Sequence, residues 1–454
     1  MSADAVSVRV RSVELYERPV TLRLPFRFGA ATVTRCPQAF VRVLADVNGH
    51  SVEGAGAELM VPKWFDKSPA LTHEQNFEQL REALRLARDA YGSADAALTP
   101  WALSLQGDDG IASGVAFGLP RLAAQFGAAL LDKAVADAAL QAAGLPWVDG
   151  LRAGVLGDPW SAKLPLHTPD TVALRHTVGL ADRLDASDPG ADPQDGLPAT
   201  LRDAIAAHGL RFFKLKLCGD AERDIARLRA IAAVLDAHAG DYRVTLDGNE
   251  TFTDAAALGA FWRALAATAA LQPLLARTLL LEQPIGRARA LREPIEGLGI
   301  PVPVILDESD DHAEAFDTGL SLGYRGISSK ACKGIYRSLR NAARVAEGRG
   351  RLLLSGEDLT AQAGLAVQQD TALAASLGVT HIERNGHHYV DGFGIAPDGE
   401  ARGFLQAHPS LYAMSNGRVR LAVHDGQLQL RSLFGTAGFA GGATPRWDTL
   451  TTIH

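Results

Sequence analysis

The hydrophobic pattern of the chain divides it into two regions. Three segments near its start alternate apolar and polar side chains: residues 8–17, 19–28 and 38–47. With turn signals at Asn48-Gly49 and Gly54-x-Gly56, these segments predict a three-stranded antiparallel meander. Helical periodicity follows over residues 73–92 and 117–143, and together these elements predict an α+β domain over residues 1–160.

From about residue 172 the pattern changes to short apolar runs, each followed by a segment with helical periodicity. Such runs are typical of a parallel sheet that is buried on both faces. Eight of them predict a closed (β/α)₈ barrel over residues 161–404. An open doubly wound sheet is the alternative, but no GxGxxG follows the first run. The eight runs are Arg175–Leu180, Phe212–Leu217, Arg243–Leu246, Thr278–Leu281, Val302–Leu306, Gly326–Ser329, Arg351–Leu354 and Thr380–Ile382.

Two further segments lie outside this repeat. Residues 182–199 are rich in Asp, Pro and Gly, and we expect a solvated insertion in the first βα unit. Residues 405–454 carry turn signals at Asn416-Gly417 and Asp425-Gly426 between short alternating runs. We expect this last segment to return to the first domain and complete it.

Composition narrows the class of protein. The formal net charge of −7 argues against nucleic acid or an anionic membrane as partner, because both bind clustered Lys and Arg. Cys36, Cys218 and Cys332 have no CxxC spacing, which is typical of reduced thiols in a cytosol. We expect no signal peptide, and no apolar run reaches the roughly 18 residues of a membrane span. The Ala/Leu-rich stretch near 121–145 is interrupted by charged residues and predicts a buried helix. A cytoplasmic location is expected.

Acidic residues end three neighbouring strands of the predicted barrel, where barrel enzymes place their active sites. Asp247, Glu282 and Asp307 end the third, fourth and fifth runs, about one βα unit apart. Carboxylates this close repel one another unless they are protonated or bridged by a cation. Because all-oxygen ligands favour a hard ion, the sequence predicts a Mg²⁺ site, with Mn²⁺ as the alternative ion. Pairing of each acid with a nearby Lys or Arg is the competing interpretation.

Lysines end the second and sixth runs, which lie opposite each other in an eight-stranded ring. Lys216 and Lys330 are therefore expected to face each other across the barrel mouth as an acid/base pair. An exposed lysine titrates near about 10.4. Burial and a second positive charge lower that value. Lys214 is the third candidate catalytic lysine, and it either supplies such a charge or only pairs with a ligand carboxylate. The other strand-end residues predicted to bind substrate or support the ligands are Asn249, Glu308, Lys333, Glu357 and Glu383.

These motifs resemble the enolase superfamily, specifically its muconate-lactonizing-enzyme branch. The resemblance rests on an ordered series of five motifs: K-x-K at Lys214–Lys216, D-x-N at Asp247–Asn249, E-x-P at Glu282–Pro284, D-E-S at Asp307–Ser309 and K-x-x-K-G at Lys330–Gly334. The segments from Pro25 to Gly29 and from Gly54 to Glu58 resemble the N-terminal capping domain of that family. The likeness implies a capped barrel, a symmetric homo-oligomer, and loops around 25–35 and 60–66 that close over the substrate.

The sequence also departs from two branches of that superfamily. The mandelate-racemase branch is expected to carry a His on strand 7 paired with an Asp on strand 6. Here Gly356-Glu357-Asp358 and Lys330 stand instead, which argues against mandelate racemase activity. Dipeptide epimerases carry D-x-D on strand 8, and Glu383-Arg384-Asn385 replaces it, so a dipeptide substrate is not supported. The following His387 and His388 are more typical of a surface loop than of a substrate contact.

The predicted function is Mg²⁺-dependent removal of the proton α to the carboxylate of a small acid, an enediolate being the intermediate that the resemblance implies. Isomerisation, by racemisation, epimerisation or cycloisomerisation, and β-elimination both follow from such chemistry, so the chain is predicted to be an isomerase or lyase. A metal-independent lyase that uses a Schiff-base lysine is one alternative. A non-catalytic descendant that binds a carboxylate metabolite is the other.

Overall fold

A computed structural model describes residues 6–94, 96–190 and 192–454. Residues 1–5 of the predicted first domain and Ala191 of the predicted insertion lie outside the described residues. The N-terminal part contains an antiparallel sheet and four helices. Its strands are β1 (Val8–Phe28), β2 (Ala31–Val47) and β3 (His50–Leu59). Its helices are α1 (His73–Gly92), α2 (Pro100–Ala116), α3 (Arg121–Ala143) and α4 (Trp147–Ala153), and a 3₁₀ turn follows at Ser161–Lys163.

The predicted strands of this sheet are partly wrong. Residues 8–17 and 19–28 are one long strand, β1, with register shifts between Val10 and Ser12 and between Thr21 and Phe26. Pro19 is tolerated there because, among the described residues, the strand on the outer side of β1 pairs only with Tyr16 and Glu17. The Asn48-Gly49 turn is present between β2 and β3.

Gly54-x-Gly56 is not a turn but lies inside β3, against α3. An added Cβ at Gly54 would meet the carbonyl oxygen of Ala134 at 2.1 Å, and one at Gly56 would meet that of Leu130 at 2.6 Å. These glycines therefore allow a close approach of strand and helix. Lys133, fully buried on α3, donates from Nζ to the carbonyl of Ala57 at 2.9 Å.

The barrel consists of eight parallel strands, and it closes because the eighth pairs with the first. Its strands are β4 (Thr171–Val178), β5 (Phe212–Lys216), β6 (Arg243–Asp247), β7 (Thr278–Glu282), β8 (Val304–Leu306), β9 (Gly326–Ser329), β10 (Leu353–Gly356) and β11 (His381–Glu383). All eight predicted runs overlap these strands, so the predicted (β/α)₈ barrel is confirmed and the open sheet is excluded.

Helices and short 3₁₀ turns connect the barrel strands. The helices are α5 (Leu201–His208), α6 (Ala221–His238), α7 (Ala255–Ala266), α8 (Gln272–Ala276), α9 (Arg287–Ala290), α10 (Ala315–Ser321), α11 (Ile335–Glu347), α12 (Leu365–Ser376), α13 (Gly386–Tyr389) and α14 (Asp398–Ala407). The 3₁₀ turns are Ala269–Leu271 and Ala331–Lys333. Within the described residues, no helix is long and apolar enough to cross a membrane.

The C-terminal segment returns to both earlier parts of the chain. It comprises β12 (Tyr412–Ser415), β13 (Arg418–Leu421), β14 (Gln427–Gln429), α15 (Arg431–Gly435), a 3₁₀ turn at Trp447–Thr449 and β15 (Thr451–Thr452). Strand β14 pairs antiparallel with β4, and β15 pairs with β1. Both predicted turns are present, at Asn416-Gly417 and before Gln427. The segment therefore completes the capping domain as expected, while the domain bounds 1–160, 161–404 and 405–454 stay a prediction.

Helix α2 of the cap was not predicted from the sequence, and it packs beside α3. The helical pattern predicted nothing over α2, whose Gly107 and Gly110 weaken helix propensity. Gly107 makes room for the ring of Tyr91, which donates a hydrogen bond to Asp132 on α3. Burial raises the pKa of Asp132 to about 7.

Replacing Gly54 by Ala should destabilise the protein by about 1–3 kcal/mol, because the new methyl group overlaps the backbone of α3. Urea unfolding measures the change in free energy. Gly403→Ala is the matched control, since nothing lies within 4 Å of its added Cβ on helix α14. There the same change should stabilise the helix by about 0.5–1 kcal/mol. Equal effects at both positions would contradict the packing described for Gly54.

Asp132→Asn should change how stability depends on pH. The pKa of about 7 lies above the ordinary unfolded value, so the carboxyl stabilises the fold fully below about pH 4 and this contribution is lost as pH rises through 7. Between pH 4 and pH 8, we expect the free energy of unfolding of the wild type to fall by about 2–4 kcal/mol more than that of Asp132→Asn. Chemical unfolding measures this difference. Asp149→Asn, at an exposed carboxyl of the same domain, should run parallel to the wild type. Parallel curves for Asp132→Asn would refute the raised pKa.

Candidate active site

The three predicted metal ligands lie on adjoining strands at the carboxyl end of the barrel. Asp247 ends β6 and is paired in register with Glu282 at the end of β7. Asp307 directly follows β8. All three side chains are almost completely buried. The strand repeat therefore places these carboxylates as the sequence predicted, on one arc of the barrel mouth.

The ammonium group of Lys214 lies among four carboxylates. Its Nζ is 3.0 Å from Asp247 Oδ2, 2.7 Å from Glu282 Oε2, 2.6 Å from Glu357 Oε2 and 3.0 Å from Glu383 Oε2. Burial by itself lowers the pKa of Lys214, but these charges raise it well above its ordinary value. A buried lysine in this setting keeps its proton.

Lys216 and Lys330 line one cavity, to which they come from the second and the sixth barrel strand. Lys216 Nζ donates to Asp247 Oδ2 at 2.6 Å, and Lys330 Nζ donates to Asp307 Oδ2 at 2.8 Å. Burial lowers the pKa of Lys330, yet the charge of Asp307 outweighs it and the net shift is upward. The net pKa of Lys330 is therefore raised and not lowered as expected, because its ammonium group contacts a carboxylate.

The remaining acids of the barrel interior have cationic or hydroxyl partners. Glu357 forms an ion pair with Arg175 of β4, a residue that the sequence analysis missed. Glu383 accepts a hydrogen bond from Thr177 Oγ1 at 2.5 Å and one from Asn385 Nδ2 at 3.0 Å. Arg175 lies within a predicted strand, but only the closed ring brings β4 beside these acids.

A second group of contacts holds Asp307. Lys333 Nζ lies 3.4 Å from Asp307 Oδ1 and 3.1 Å from Asp310 Oδ2. Gln283, the middle residue of the E-x-P motif, accepts from the backbone N–H groups of Asp307 and Ser309 at 2.8 and 3.1 Å. Burial raises the pKa of Asp307, but Lys330 and Lys333 lower it to well below its usual range. Asp307 is thus a fixed anion.

Asn249 and Glu308 lie on the outer side of this arc. Asn249 has a positive φ of 43° and donates from its backbone N–H to Asp247 Oδ1 at 2.8 Å. Its Nδ2 lies 3.4 Å from Glu308 Oε1, while Glu308 Oε2 is buried without a hydrogen-bond partner. Lys67 of the cap is 3.5 Å from Glu308 Oε1. Burial raises the pKa of Glu308.

Aromatic residues of the cap cover the two lysines. Lys330 Nζ lies 4.3 Å from the centre of the Trp64 ring. Lys216 Nζ lies 5.9 Å and 6.0 Å from the ring centres of Phe26 and Phe28. Such contacts favour a cation over the ring face. Phe26 and Phe28 belong to the Pro25–Gly29 segment, whose alternation gives them one face of β1, but the sequence alone did not assign them to the site.

His387 and His388 are not surface residues. Both are buried on α13, where His387 Nε2 lies 3.0 Å from Nδ1 of His176 on β4. His208 packs against His387 with ring centres 5.4 Å apart. None of the four lines the cavity with Lys216 and Lys330. The prediction of a surface loop is therefore wrong, because the chain after β11 packs back onto β4.

The residues present fit a magnesium ion by their chemistry. Asp247, Glu282 and Asp307 offer three buried carboxylates, and Glu308 adds a buried oxygen with no hydrogen-bond partner. Within the described residues, however, no three His, Cys, Asp or Glu side chains are arranged to hold a metal ion. Lysine ammonium groups pair with the carboxylates instead, as the competing interpretation of the sequence predicted. Metal binding thus requires these ion pairs to open.

Comparisons with known proteins bear on this site. Residues 197–408 match the family model described as enolase C-terminal domain-like. No curated protein matches the chain significantly. Solved structures with the same fold include a muconate lactonizing enzyme from Pseudomonas fluorescens, which is 18% identical with a TM-score of 0.64 over 97% of each chain. A dipeptide epimerase from Enterococcus faecalis is 18% identical, with a TM-score of 0.63 over 96% of this chain and 100% of that chain. The 2-chloromuconate cycloisomerase from Rhodococcus opacus is 17% identical, with a TM-score of 0.64 over 97% of this chain and 98% of that chain.

A closed (β/α)₈ barrel with an N-terminal α+β cap, and with lysines and carboxylates at its strand ends, defines the class of this protein. Residues 197–408 belong to the enolase C-terminal domain-like family. This match supports the resemblance to the enolase superfamily over these residues, and the solved structures show that the chain shares the fold of muconate lactonizing enzymes.

Lys214→Met should destabilise the protein by about 3–5 kcal/mol, because it leaves four buried carboxylates without their shared cation. Chemical unfolding in a chelating buffer measures this, so that metal binding does not contribute. Lys163→Met is the control, since that lysine is exposed and should tolerate the change. A loss below about 1 kcal/mol for Lys214→Met would show that the acids find other partners.

Proposed function

We propose that the chain is a Mg²⁺-dependent enzyme that moves the proton on the α-carbon of a small carboxylic acid, giving isomerisation or β-elimination. The observation that carries the proposal is that Lys216 and Lys330, from opposite sides of the barrel, line one cavity beside Asp247. Two proton-carrying groups that approach one carbon from two sides suit removal and return of a proton.

The proposed ligands of the ion are Asp247, Glu282 and Asp307, with Mn²⁺ as the alternative ion. When bound, Mg²⁺ supplies positive charge that stabilises the negative charge developing on a substrate carboxylate. Asn249 and Glu308 support Asp247 from the outer side of the arc, through the contacts described above.

The lysines divide the proton transfers. One of Lys216 and Lys330 takes the proton from the α-carbon, and the other returns it on the opposite face or protonates a leaving group. Lys214 is a positioning residue, because its four carboxylate contacts leave it bound within the barrel interior. Lys333 contacts Asp307, while Glu357 and Glu383 contact Lys214, so these three residues fix the position of a proposed ligand and of Lys214.

The cap restricts which substrates enter. Phe26, Phe28, Val61 and Trp64 form an apolar roof over the cavity, and they exclude water from the lysines. Among the described residues that line this cavity there is no arginine. Its charged side chains are Asp247, Asp358 and Glu383 together with three lysines, Lys214, Lys216 and Lys330. A homo-oligomer and a cytoplasmic location remain predictions.

Deuterium exchange tests the proposal. In ²H₂O with Mg²⁺, we expect the wild type to incorporate deuterium at the α-carbon of at least one member of a panel of small monocarboxylates, measured by mass spectrometry. Lys216→Ala and Lys330→Ala should each lower turnover of that acid by about 10²–10⁴-fold, because each removes a proton-transfer group. For a chiral acid, each variant should lose exchange mainly from one enantiomer.

Lys163→Ala, at an exposed position outside the cavity, is the control and should leave turnover unchanged. Full activity in both cavity variants would refute the lysine assignment. If borohydride traps a keto acid on the protein, and a chelator does not reduce this trapping, the result would instead support the Schiff-base lyase. Metal-dependent binding without any exchange would support the non-catalytic carboxylate-binding protein.

A further inference from the structure

A second cavity lies between the cap and the barrel, away from Lys216 and Lys330. Helices α2 and α3 of the cap form one side of it, and α11 with Lys333-Gly334 forms the other. Its residues include none of those that line the cavity of the proposed active site. Nothing in the proposed reaction uses it.

Three aromatic rings form one wall of this cavity. The ring centre of Trp101 is 4.9 Å from that of Trp160 and 5.0 Å from that of Tyr336. Tyr336 is 4% exposed, and its hydroxyl is buried without a hydrogen-bond partner. A buried hydroxyl with no partner destabilises the fold unless a ligand or water forms a hydrogen bond with it. The wall therefore offers the edges and faces of mutually tilted aromatic rings, and one hydroxyl that has no hydrogen-bond partner among the described residues.

Positive charge lies on α11, where Arg340 is one turn from Tyr336. Arg340 on α11 forms no hydrogen bond or ion pair with the described residues, whereas Arg344, one turn further along, pairs with Asp317 and Glu347. Burial and the neighbouring Arg337 lower the pKa of Arg340, an effect that the charges of Asp310, Glu314 and Asp317 offset only in part. A half-buried guanidinium without a carboxylate partner is free to bind an anion.

The cavity also contains two acids, which limit its charge. Asp108 is exposed at its edge, and burial raises the pKa of its carboxyl. Asp132 is buried, accepts from Tyr91, and has a pKa raised to about 7, so it is only partly ionised near neutral pH. Neither acid forms an ion pair with Arg340. A positive site thus remains beside the aromatic rings.

We propose that this cavity binds a small aromatic carboxylate. Its ring would lie against Trp101 and Trp160, and its carboxylate would accept hydrogen bonds from the guanidinium of Arg340 and the hydroxyl of Tyr336. Arg121, at the rim, already donates from Nε to the carbonyl of Asp311 at 3.1 Å and keeps its other N–H groups for the anion.

The cavity is joined to the proposed active site by a short series of contacts. Gln125 Nε2 donates to the carbonyl of Lys333 at 2.6 Å, and Arg337 donates to Gln125 Oε1 at 2.9 Å. Lys333 in turn contacts Asp307 and Asp310. Gln125 and Lys333 would thus connect a ligand in this cavity to Asp307, a proposed metal ligand. Both domains contribute residues to this wall.

Binding of benzoate to the full chain tests this site. In a chelating buffer, we expect one benzoate to bind per chain by calorimetry and to change the tryptophan fluorescence. Arg340→Gln should raise the Kd at least tenfold and Tyr336→Phe severalfold, because each removes one group for the carboxylate. Trp160→Phe should remove most of the fluorescence change. Benzylamine, which carries the opposite charge, and phosphate, which has no ring, should bind much more weakly.

Matched variants separate this cavity from the barrel mouth. Arg344→Gln alters a paired arginine on the same helix and should leave the Kd unchanged. Lys330→Ala should leave it unchanged too, because Lys330 lines only the other cavity. Far-ultraviolet circular dichroism and thermal unfolding confirm that each variant folds. No binding, equal binding of benzylamine, or a Kd that depends on Lys330 and not on Arg340 would overturn the proposal.

Discussion

The balance of buried charge inside the barrel is the constraint on which the rest of the structure depends. Moving an ion from water into a protein interior costs several kcal/mol unless a partner of opposite charge compensates it. Lys214 meets this requirement for Asp247, Glu282, Glu357 and Glu383 at once. Since those residues come from five different strands, the closed ring of β-strands and the charge network require each other. The same balance raises the pKa of Lys214 and of Lys330, and the carboxylates become available to another cation only where an ammonium group moves away.

Most of the fold follows from hydrophobic periodicity, and the exceptions have local causes. The barrel strands are short, apolar and regularly spaced, so the sequence locates all eight. The cap is harder, because β1 is longer than a typical strand and contains Pro19, which reads as a break between two strands. Gly54 and Gly56 read as a turn, since only the tertiary structure shows that α3 needs the space of their missing side chains.

For the candidate site, strand position predicted which residues meet but not how they pair. The carboxyl ends of parallel strands share one edge, so the sequence could bring Asp247, Glu282 and Asp307 together. Which oxygen receives which ammonium depends on side-chain rotamers, and these follow from packing across the whole ring. Arg175 was missed for a similar reason, and the roof of Phe26, Phe28 and Trp64 was expected only as loops around 25–35 and 60–66 that the family resemblance implies. They reach the site from the far side of the ring and from another domain, contacts that no local pattern encodes.

Helix α3 has a mechanical consequence. Nearly all its residues from Leu122 to Leu140 are buried, between the cap sheet on one side and the barrel at Lys333 on the other. A helix enclosed in this way cannot act as a hinge, because rotating the cap away would expose apolar surface on every face of it. Access of small molecules to Lys216 and Lys330 therefore depends on local motion of the end of β1, which carries Phe26 and Phe28, and of the turn that carries Trp64. Motion of such a turn takes nanoseconds to microseconds, whereas the reorientation of whole domains takes microseconds to milliseconds.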